Sequence, residues 1–245
     1  MGTSLESEIF RFKHFDIHQH LCTMKVNTDG VLLGAWSEIE NKKKSLDIGT
    51  GTGVIAIMLA QRNNQIISHG IEIDEKASNQ AAENMAGSPY KSRLKCIHQS
   101  IQDYVNNTHE KYDLIVSNPP FFSGGTFSLN QNKANVRHTI KLSHTDLLNA
   151  VRTLMTSDGH FDVILPYIEG LRFIELAQKY DFGVVKITEV KPKAEKSIER
   201  LLIRFAMKFN HPAFIDRLIV HNSTKANDYT DEIKTLTRDF YIFLD

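Results

Sequence analysis

From residue 45 onward, short apolar runs and amphipathic stretches take turns at intervals of about 20 residues, which restricts the chain to few architectures. Ser45 to Ile48 reads as a short buried strand. Val54 to Gln61 reads as a helix with Ile55, Met58 and Leu59 on one stripe. Ile66 to Ile73 is β-rich, Glu75 to Met85 is helical, and Leu94 to Ile97 and Tyr112 to Val116 are further strands. Helices at Thr145 to Met155 and Glu169 to Tyr180 flank a strand at Phe161 to Leu165, and strands at Phe182 to Val190 and Leu201 to Met207 follow. Repeated βαβ units of this kind build a parallel sheet covered by helices on both faces. The last two strands are joined only by a polar connection, which suits an antiparallel pair. The expected fold is α/β, an open, doubly wound, mostly parallel sheet with helices on both faces. Its ligand belongs beyond the carboxyl ends of the strands. Residues 1–43 are polar and mixed. They are expected to pack as an extension on one compact unit spanning 44–245.

Composition removes several classes. Lys and Arg number 29 and Asp and Glu 29, so the net charge is zero and a strongly basic nucleic-acid coat is excluded. The longest apolar run, Gly53 to Ala60, falls far short of the roughly 18 residues that span a bilayer. The first residues carry neither a basic region nor an apolar core, so no signal peptide is expected. Cys22 and Cys96 lie 74 residues apart. That spacing forms no CxxC, and the expectation is no disulfide framework, no metal site and a reducing cytoplasm. His14, His18 and His20 lack a carboxylate or cysteine partner at ligand spacing and read as surface histidines.

The first strand runs into Asp47-Ile48-Gly49-Thr50-Gly51-Thr52-Gly53. Glycines at alternate positions permit a tight turn and close approach of backbone to a ligand. The helix that follows offers its free N–H groups. A dinucleotide fingerprint G-x-G-x-x-G begun at Gly49 would need glycine at position 54, which is Val54. An acid two residues before the first glycine suits a cation better than a pyrophosphate. S-adenosylmethionine offers an ammonium, a sulfonium and a carboxylate, and no phosphate. Glu72, 19 residues after Gly53 at the end of the second strand, suits the two ribose hydroxyls of an adenosine, with Ile73 beside it.

The fourth strand ends in Ser117-Asn118-Pro119-Pro120-Phe121-Phe122. Proline stops a strand, but two in succession also fix the direction of Asn118 and of the Pro119 carbonyl. An exocyclic amine or amide –NH2 has two N–H donors. Two fixed acceptors, the Asn118 side-chain oxygen and the Pro119 backbone oxygen, take both hydrogens and leave the lone pair aimed at a methyl group. Phe121 offers a flat face for stacking a planar substrate, worth about 1–3 kcal/mol for a base. In-line transfer from a sulfonium then needs alignment and removal of water, not a strong base.

At these residues the sequence resembles the amino-methylating class I S-adenosylmethionine-dependent methyltransferases. Thr23 to Trp36 (Thr-Met-Lys-Val-Asn-Thr-Asp-Gly-Val-Leu-Leu-Gly-Ala-Trp) is similar to the N-terminal signature of the bacterial tRNA(Val) adenine-N6 methyltransferase family. Ala134 to His138 resembles the Ala-Arg-His stretch after that family's catalytic loop, here with two extra residues. The resemblance implies a seven-stranded Rossmann-like sheet and methylation of the adenosine just 3′ of the anticodon, so tRNA is the expected partner. Asn118, Pro119, Pro120 and Phe121 become the expected catalytic residues. Asp47, Gly49, Gly51, Gly53, Glu72, Ile73, Ser100, Ile101, Asn118, Thr28 and Asp29 become the expected cofactor contacts. Phe122, Arg137 and His138 become the expected substrate contacts.

Two departures stand out. Such enzymes usually carry Asp at the end of the third strand, bonded to the adenine amine, where this chain has Ser100, with Asp103 three residues on. The catalytic motif ends in Phe121, which has no hydroxyl. Thr28-Asp29-Gly30 reads equally as a simple turn. The run Lys186, Lys191, Lys193, Lys196, Arg200, Arg204 and Lys208 reads either as an RNA-facing strip or as a solvated strand pair. The same catalytic loop also serves guanine N2 of ribosomal RNA or a protein glutamine amide. A non-catalytic RNA-binding module of this fold is the alternative of a different class.

Overall fold

The computed structural model describes residues 8–119, 142–223, 225 and 228–242. Pro120, Phe121, Phe122, Arg137 and His138 lie outside the described residues. A small antiparallel pair, β1 (Ile9–Arg11) and β2 (Asp16–His18), precedes helix α1 (Thr28–Trp36). Then come β3 (Lys44–Ile48), α2 (Val54–Arg62), β4 (Ile67–Glu72), α3 (Glu75–Gly87), β5 (Leu94–His98), α4 (Ile101–Asn107) and β6 (Tyr112–Ser117). The chain continues through α5 (His144–Leu154), β7 (Met155–Pro166), α6 (Tyr167–Gln178), β8 (Phe182–Lys191), β9 (Arg200–Met207), β10 (Phe214–Ile219) and α7 (Asp231–Thr237).

The main sheet runs in the order β10-β8-β9-β7-β6-β3-β4-β5. The chain starts in the middle at β3, winds outward through β4 and β5, then reverses at β6, so the switch point lies between β3 and β6. All pairings are parallel except those of β9, which is antiparallel to both β7 and β8. The expected doubly wound sheet is therefore present, with its late antiparallel strand. Seven strands form the expected set and β10 extends it to eight, pairing parallel to β8 along Phe214 to Ile219. That strand is hard to read from sequence, because Phe214 and Ile215 are exposed and Asp216 and Arg217 interrupt any apolar run.

Central strands are buried on both sides. Leu114 and Val116 face one apolar cluster with Leu33, Ile55, Met58 and Leu59, while Ile115 faces the other with Tyr104, Leu148, Val151 and Phe173. Period-two alternation thus feeds two cores, one per face, as a doubly wound sheet requires. Residues before 44 share the first core. In α1, everything from Gly30 to Ala35 is buried, so this part of the chain is less polar in place than its composition implies.

Most helix starts are closed by a side chain. Asn27, Asp74, Ser100 and Ser143 each accept an N–H from the first turn of α1, α3, α4 and α5. Helix α2 instead starts from Gly53 with no side-chain cap, which leaves its N–H groups facing the glycine loop.

Candidate active site

The loop after β3 is built by three left-handed glycines. Gly49, Gly51 and Gly53 have φ of 75°, 55° and 82°, a region that strains any residue with a Cβ. The Gly49 and Thr50 N–H groups both donate to the Ile71 carbonyl, at 2.9 and 3.1 Å, fastening the loop to β4. Thr50 folds down onto Gly70 of β4, where an added Cβ would lie 2.6 Å from Thr50 Oγ1. From that position Thr50 Oγ1 donates to Asp47 Oδ2 at 2.6 Å. The other oxygen, Asp47 Oδ1, is buried and has no hydrogen-bond partner among the described residues. Asp47 itself is fully buried, and desolvation pushes its pKa up to about 7, with Glu72 adding to the rise and the Thr50 hydroxyl opposing it.

Glu72 ends β4 and acts as a staple. Its Oε2 accepts from the Gly51 N–H at 3.0 Å, and its Oε1 accepts from Ile73 and Asp74 at 2.9 and 3.0 Å. A carboxylate has about four acceptor positions, so three are used by backbone amides. Ile73, next to it, is 46% exposed and offers an apolar surface at the strand end. Ser100 caps α4: its oxygen accepts from the Asp103 N–H at 3.0 Å while its hydroxyl donates to Asp103 Oδ2 at 2.6 Å. The serine and the nearby acid therefore form one unit and not two alternative acceptors. Ile101 is buried behind them.

Two residues here escaped the sequence analysis. Asn84 of α3 donates to the Thr52 carbonyl at 2.9 Å and to the His18 carbonyl at 2.8 Å, and accepts from the His18 N–H at 2.9 Å. Gln80 accepts from the Leu21 N–H at 3.3 Å. Together they tie the segment after β2 to the glycine loop. Cys22 in that segment is buried, and its thiol pKa is pushed up to about 11 by burial and by the charges of Glu72 and Asp74. The available signal was two amides spaced i, i+4 on the same stripe as Ala77 and Ala81, where an apolar face would otherwise be continuous.

At the switch point, Ser117 Oγ donates to the Ile48 carbonyl at 2.8 Å, joining the ends of β6 and β3. Asn118 follows. Its Oδ1 is buried and has no partner among the described residues, an arrangement that costs free energy unless a ligand donates to it. Pro119 is buried behind it. The start of α1 comes up against Asn118: a Cβ added at Gly30 would lie 3.8 Å from both Asn118 Nδ2 and Asn27 Oδ1. Thr28 and Asp29 sit in the same helical turn, and Asp29 Oδ2 accepts from Arg200 Nε of β9 at 2.8 Å. The structure thus brings Thr28 and Asp29 close to Asn118, with the Asp29 carboxylate already paired.

Three residues of the basic run are committed to partners within the protein. Arg204 is buried, makes a two-pronged bond to Asp162 at 2.8 and 2.9 Å, donates to Glu38 at 2.6 Å and lies over the Trp36 ring. Lys186 pairs with Asp216 at 2.9 Å, and Arg200 with Asp29. Of the two readings, neither a continuous RNA-facing strip nor a simply solvated pair describes these three residues.

The strand order and this acid–glycine loop–acid arrangement at the carboxyl edge define a class I methyltransferase fold. A protein of Agrobacterium tumefaciens described as a predicted O-methyltransferase superposes with a TM-score of 0.66, at 17% identity over 86% of this chain and 96% of that one. M. capricolum TrmK, solved with its cofactor product S-adenosyl-homocysteine, superposes with a TM-score of 0.51 at 14% identity, over 78% of this chain and 71% of that one. The methyltransferase small domain matches residues 25–164. A Proteus mirabilis protein named tRNA1(Val) (adenine(37)-N6)-methyltransferase is 41% identical over 238 residues, 96% of this chain and 94% of the relative. The chain belongs to the methyltransferase small-domain family and, within it, to the group of relatives that carry this name.

Proposed function

We propose that this protein is an S-adenosylmethionine-dependent tRNA methyltransferase acting on the exocyclic N6 of adenosine 37, just 3′ of the anticodon, in tRNA1(Val). The near end-to-end likeness to relatives of that name supports the substrate. The observation that carries the chemistry is the buried Asn118 Oδ1 at the switch point, which has no partner among the described residues.

The donor set fits a cationic nucleoside cofactor. Asp47 Oδ1 lacks a partner among the described residues, Glu72 lines the strand end, and the glycine loop and the uncapped start of α2 offer backbone N–H groups. Gly49, Gly51 and Gly53 would allow close approach, Ile73 and the buried Ile101 would back the adenine side, and Ser100 with Asp103 would meet its amine. Thr28 and Asp29 stand near the methionine end. When bound, S-adenosylmethionine supplies a methyl group activated by a sulfonium.

On the acceptor side, Asn118 Oδ1 takes one N6 hydrogen and the Pro119 carbonyl takes the other, which turns the nitrogen lone pair toward the donor. Pro120 and Phe121 are assigned to the catalytic loop, and Phe122, Arg137 and His138 to the RNA, all outside the described residues. The displaced proton leaves to solvent after transfer. The adenosine must leave its stack to reach this site, which an anticodon loop permits at low cost. Residues 1–43 act as an extension that ties down the glycine loop, and 44–245 form the catalytic unit. Two free thiols suit a reducing cytoplasm, and among the described residues no helix is long and apolar enough to cross a membrane.

The test uses radiolabelled S-adenosylmethionine and unmodified total tRNA from a strain lacking this enzyme, followed by digestion to nucleosides. Label in N6-methyladenosine is expected. In parallel reactions with ribosomal RNA and protein from the same strain, label in N2-methylguanosine or in methylglutamine, with none in tRNA, would keep the loop chemistry and overturn the substrate.

A further inference from the structure

A cleft of about 330 Å³ opens at the carboxyl edge of the sheet and shares Thr28 and Asp29 with the site already described. Its walls include Asn27, Thr28 and Asp29 at the start of α1, Glu199 and Arg200 at the start of β9, and His221 after β10. None of the residues of the glycine loop lines it, nor do Asp47 or Glu72. The strand order explains why. Asp47 and Glu72 belong to β3 and β4 and Ser100 follows β5, all on one side of β6, whereas β8, β9 and β10 lie on the other. Asn118 stands between the two. In-line transfer needs donor and acceptor on opposite sides of the reacting group, so this cleft is on the acceptor side.

The cleft is also close. Asn27 Oδ1 and Asn118 Nδ2 each lie 3.8 Å from one shared point, the Cβ position of Gly30, so they are no more than twice that distance apart. An adenine with its N6 at Asn118 would carry its ribose and the next residue of the chain toward this space. The volume is at the lower end of small-molecule sites, roughly 300–1,000 Å³, which matches one nucleotide and not a helix.

Its polar groups are held in place. His221 N–H donates to the Pro192 carbonyl at 3.0 Å, and the imidazole stacks on Tyr229 with ring centroids 4.9 Å apart. Tyr229 in turn stacks on Tyr241 at 5.9 Å. Yet His221 Nδ1 is buried with no hydrogen-bond partner among the described residues. Arg200 is paired with Asp29 at 2.8 Å, and Glu199 lines the same wall, so the cleft carries no net positive charge. A ring nitrogen without a partner among the described residues and an apolar floor of Leu32, Val190 and Val220 suit a base edge and a base face, and a neutralised wall suits a base better than a phosphate.

We infer that this cleft takes the nucleotide adjoining the target adenosine in the RNA chain, with His221 as the residue that reads it. The inference rests on the RNA-methylating reading above and adds a specificity group supplied by the end of β10. The test compares wild type with His221→Phe, which keeps the ring and its stacking but removes the nitrogen, and with His221→Gln, which keeps a hydrogen-bonding group. The substrates are anticodon stem-loops, intact or with an abasic unit on the 5′ or the 3′ side of the target.

For His221→Phe, KM for the intact stem-loop is expected to rise about tenfold, with kcat and the cofactor Kd unchanged and with partial recovery in His221→Gln. An abasic unit on one side should penalise wild type similarly and add little to the variant. An unchanged KM in both variants, or penalties that simply add on both sides, would overturn the inference while leaving methylation intact. A wild-type enzyme that methylates no RNA would remove the function and the inference together.

Discussion

The two halves of the sheet's carboxyl edge are built differently. On the β3–β4–β5 side, hydrogen bonds hold the loops at the strand ends: Thr50 to Asp47, Gly51 to Glu72, Ser100 to Asp103, with Asn84 reaching back to His18. On the β8–β9–β10 side, order comes from partners far apart in the chain, as in Asp29 with Arg200 and Glu38 and Asp162 with Arg204. The first half is preorganised for one invariant ligand. The second is a shaped, mixed-charge cleft whose walls come from α1, β9 and the end of β10. On the proposed function, the first construction suits a cofactor that is the same in every turnover and the second suits an RNA that must be recognised.

The largest expected effect tests the foundation of the acceptor half. Asp162→Ala leaves Arg204 buried with only Glu38, and removing one member of a buried pair costs about 3–5 kcal/mol. Chemical denaturation should show a loss near that size, and a loss under about 1 kcal/mol would mean that the pair does not organise this side.

On the cofactor half, Gly70→Ala forces Thr50 off β4 and breaks its bond to Asp47. A loss of about 1–3 kcal/mol of stability is expected, together with weaker cofactor binding at unchanged RNA affinity. Calorimetry with each ligand separates the two, and equal weakening of both would erase the division between the halves.

Asp47 also makes the cofactor half pH-sensitive. Its pKa is about 7 when folded against an ordinary value of 3.8, so between these values the folded state holds a proton that the unfolded chain has lost. Stability of the free protein should fall as pH rises through that window and level off above about 7. A cationic ligand favours the ionised carboxylate, so cofactor affinity should rise by up to about tenfold per pH unit until about 7 and then flatten. Titration calorimetry across this range should show the rise in wild type and its absence in Asp47→Asn.

The smallest effect concerns Ser100. Ser100→Ala removes the α4 cap, at about 1 kcal/mol, and Ser100→Asp keeps a cap while adding charge toward the adenine amine. A few-fold tighter cofactor Kd for Ser100→Asp is expected, and a looser one would place the adenine elsewhere.

The contrast between the halves also governs what was legible. The glycine loop, Glu72 and Asn118 announce themselves because each sits at a strand end with local chemistry that bland structure does not need. Helix α1 did not: it is buried over Gly30 to Ala35, so it lacks the one-sided stripe that marks a surface helix. Strand β10 is an exposed edge that mixes Phe214, Ile215, Asp216 and Arg217, so no alternation survives. The role of Arg200 depends on Asp29, 171 residues earlier, and no spacing rule links them. Arg204 looked like surface charge because its neutralising partners, Glu38 and Asp162, come from other segments.

The most direct test of the account is Asn118→Ala, since this residue stands between the two halves and is assigned to the acceptor amine. Single-turnover methylation of tRNA and the cofactor Kd would be measured on the same preparation. The account predicts a rate lower by about a hundredfold to a thousandfold with the cofactor Kd nearly unchanged. Equal loss of rate and cofactor affinity would contradict it, because Asn118 would then belong to the cofactor half.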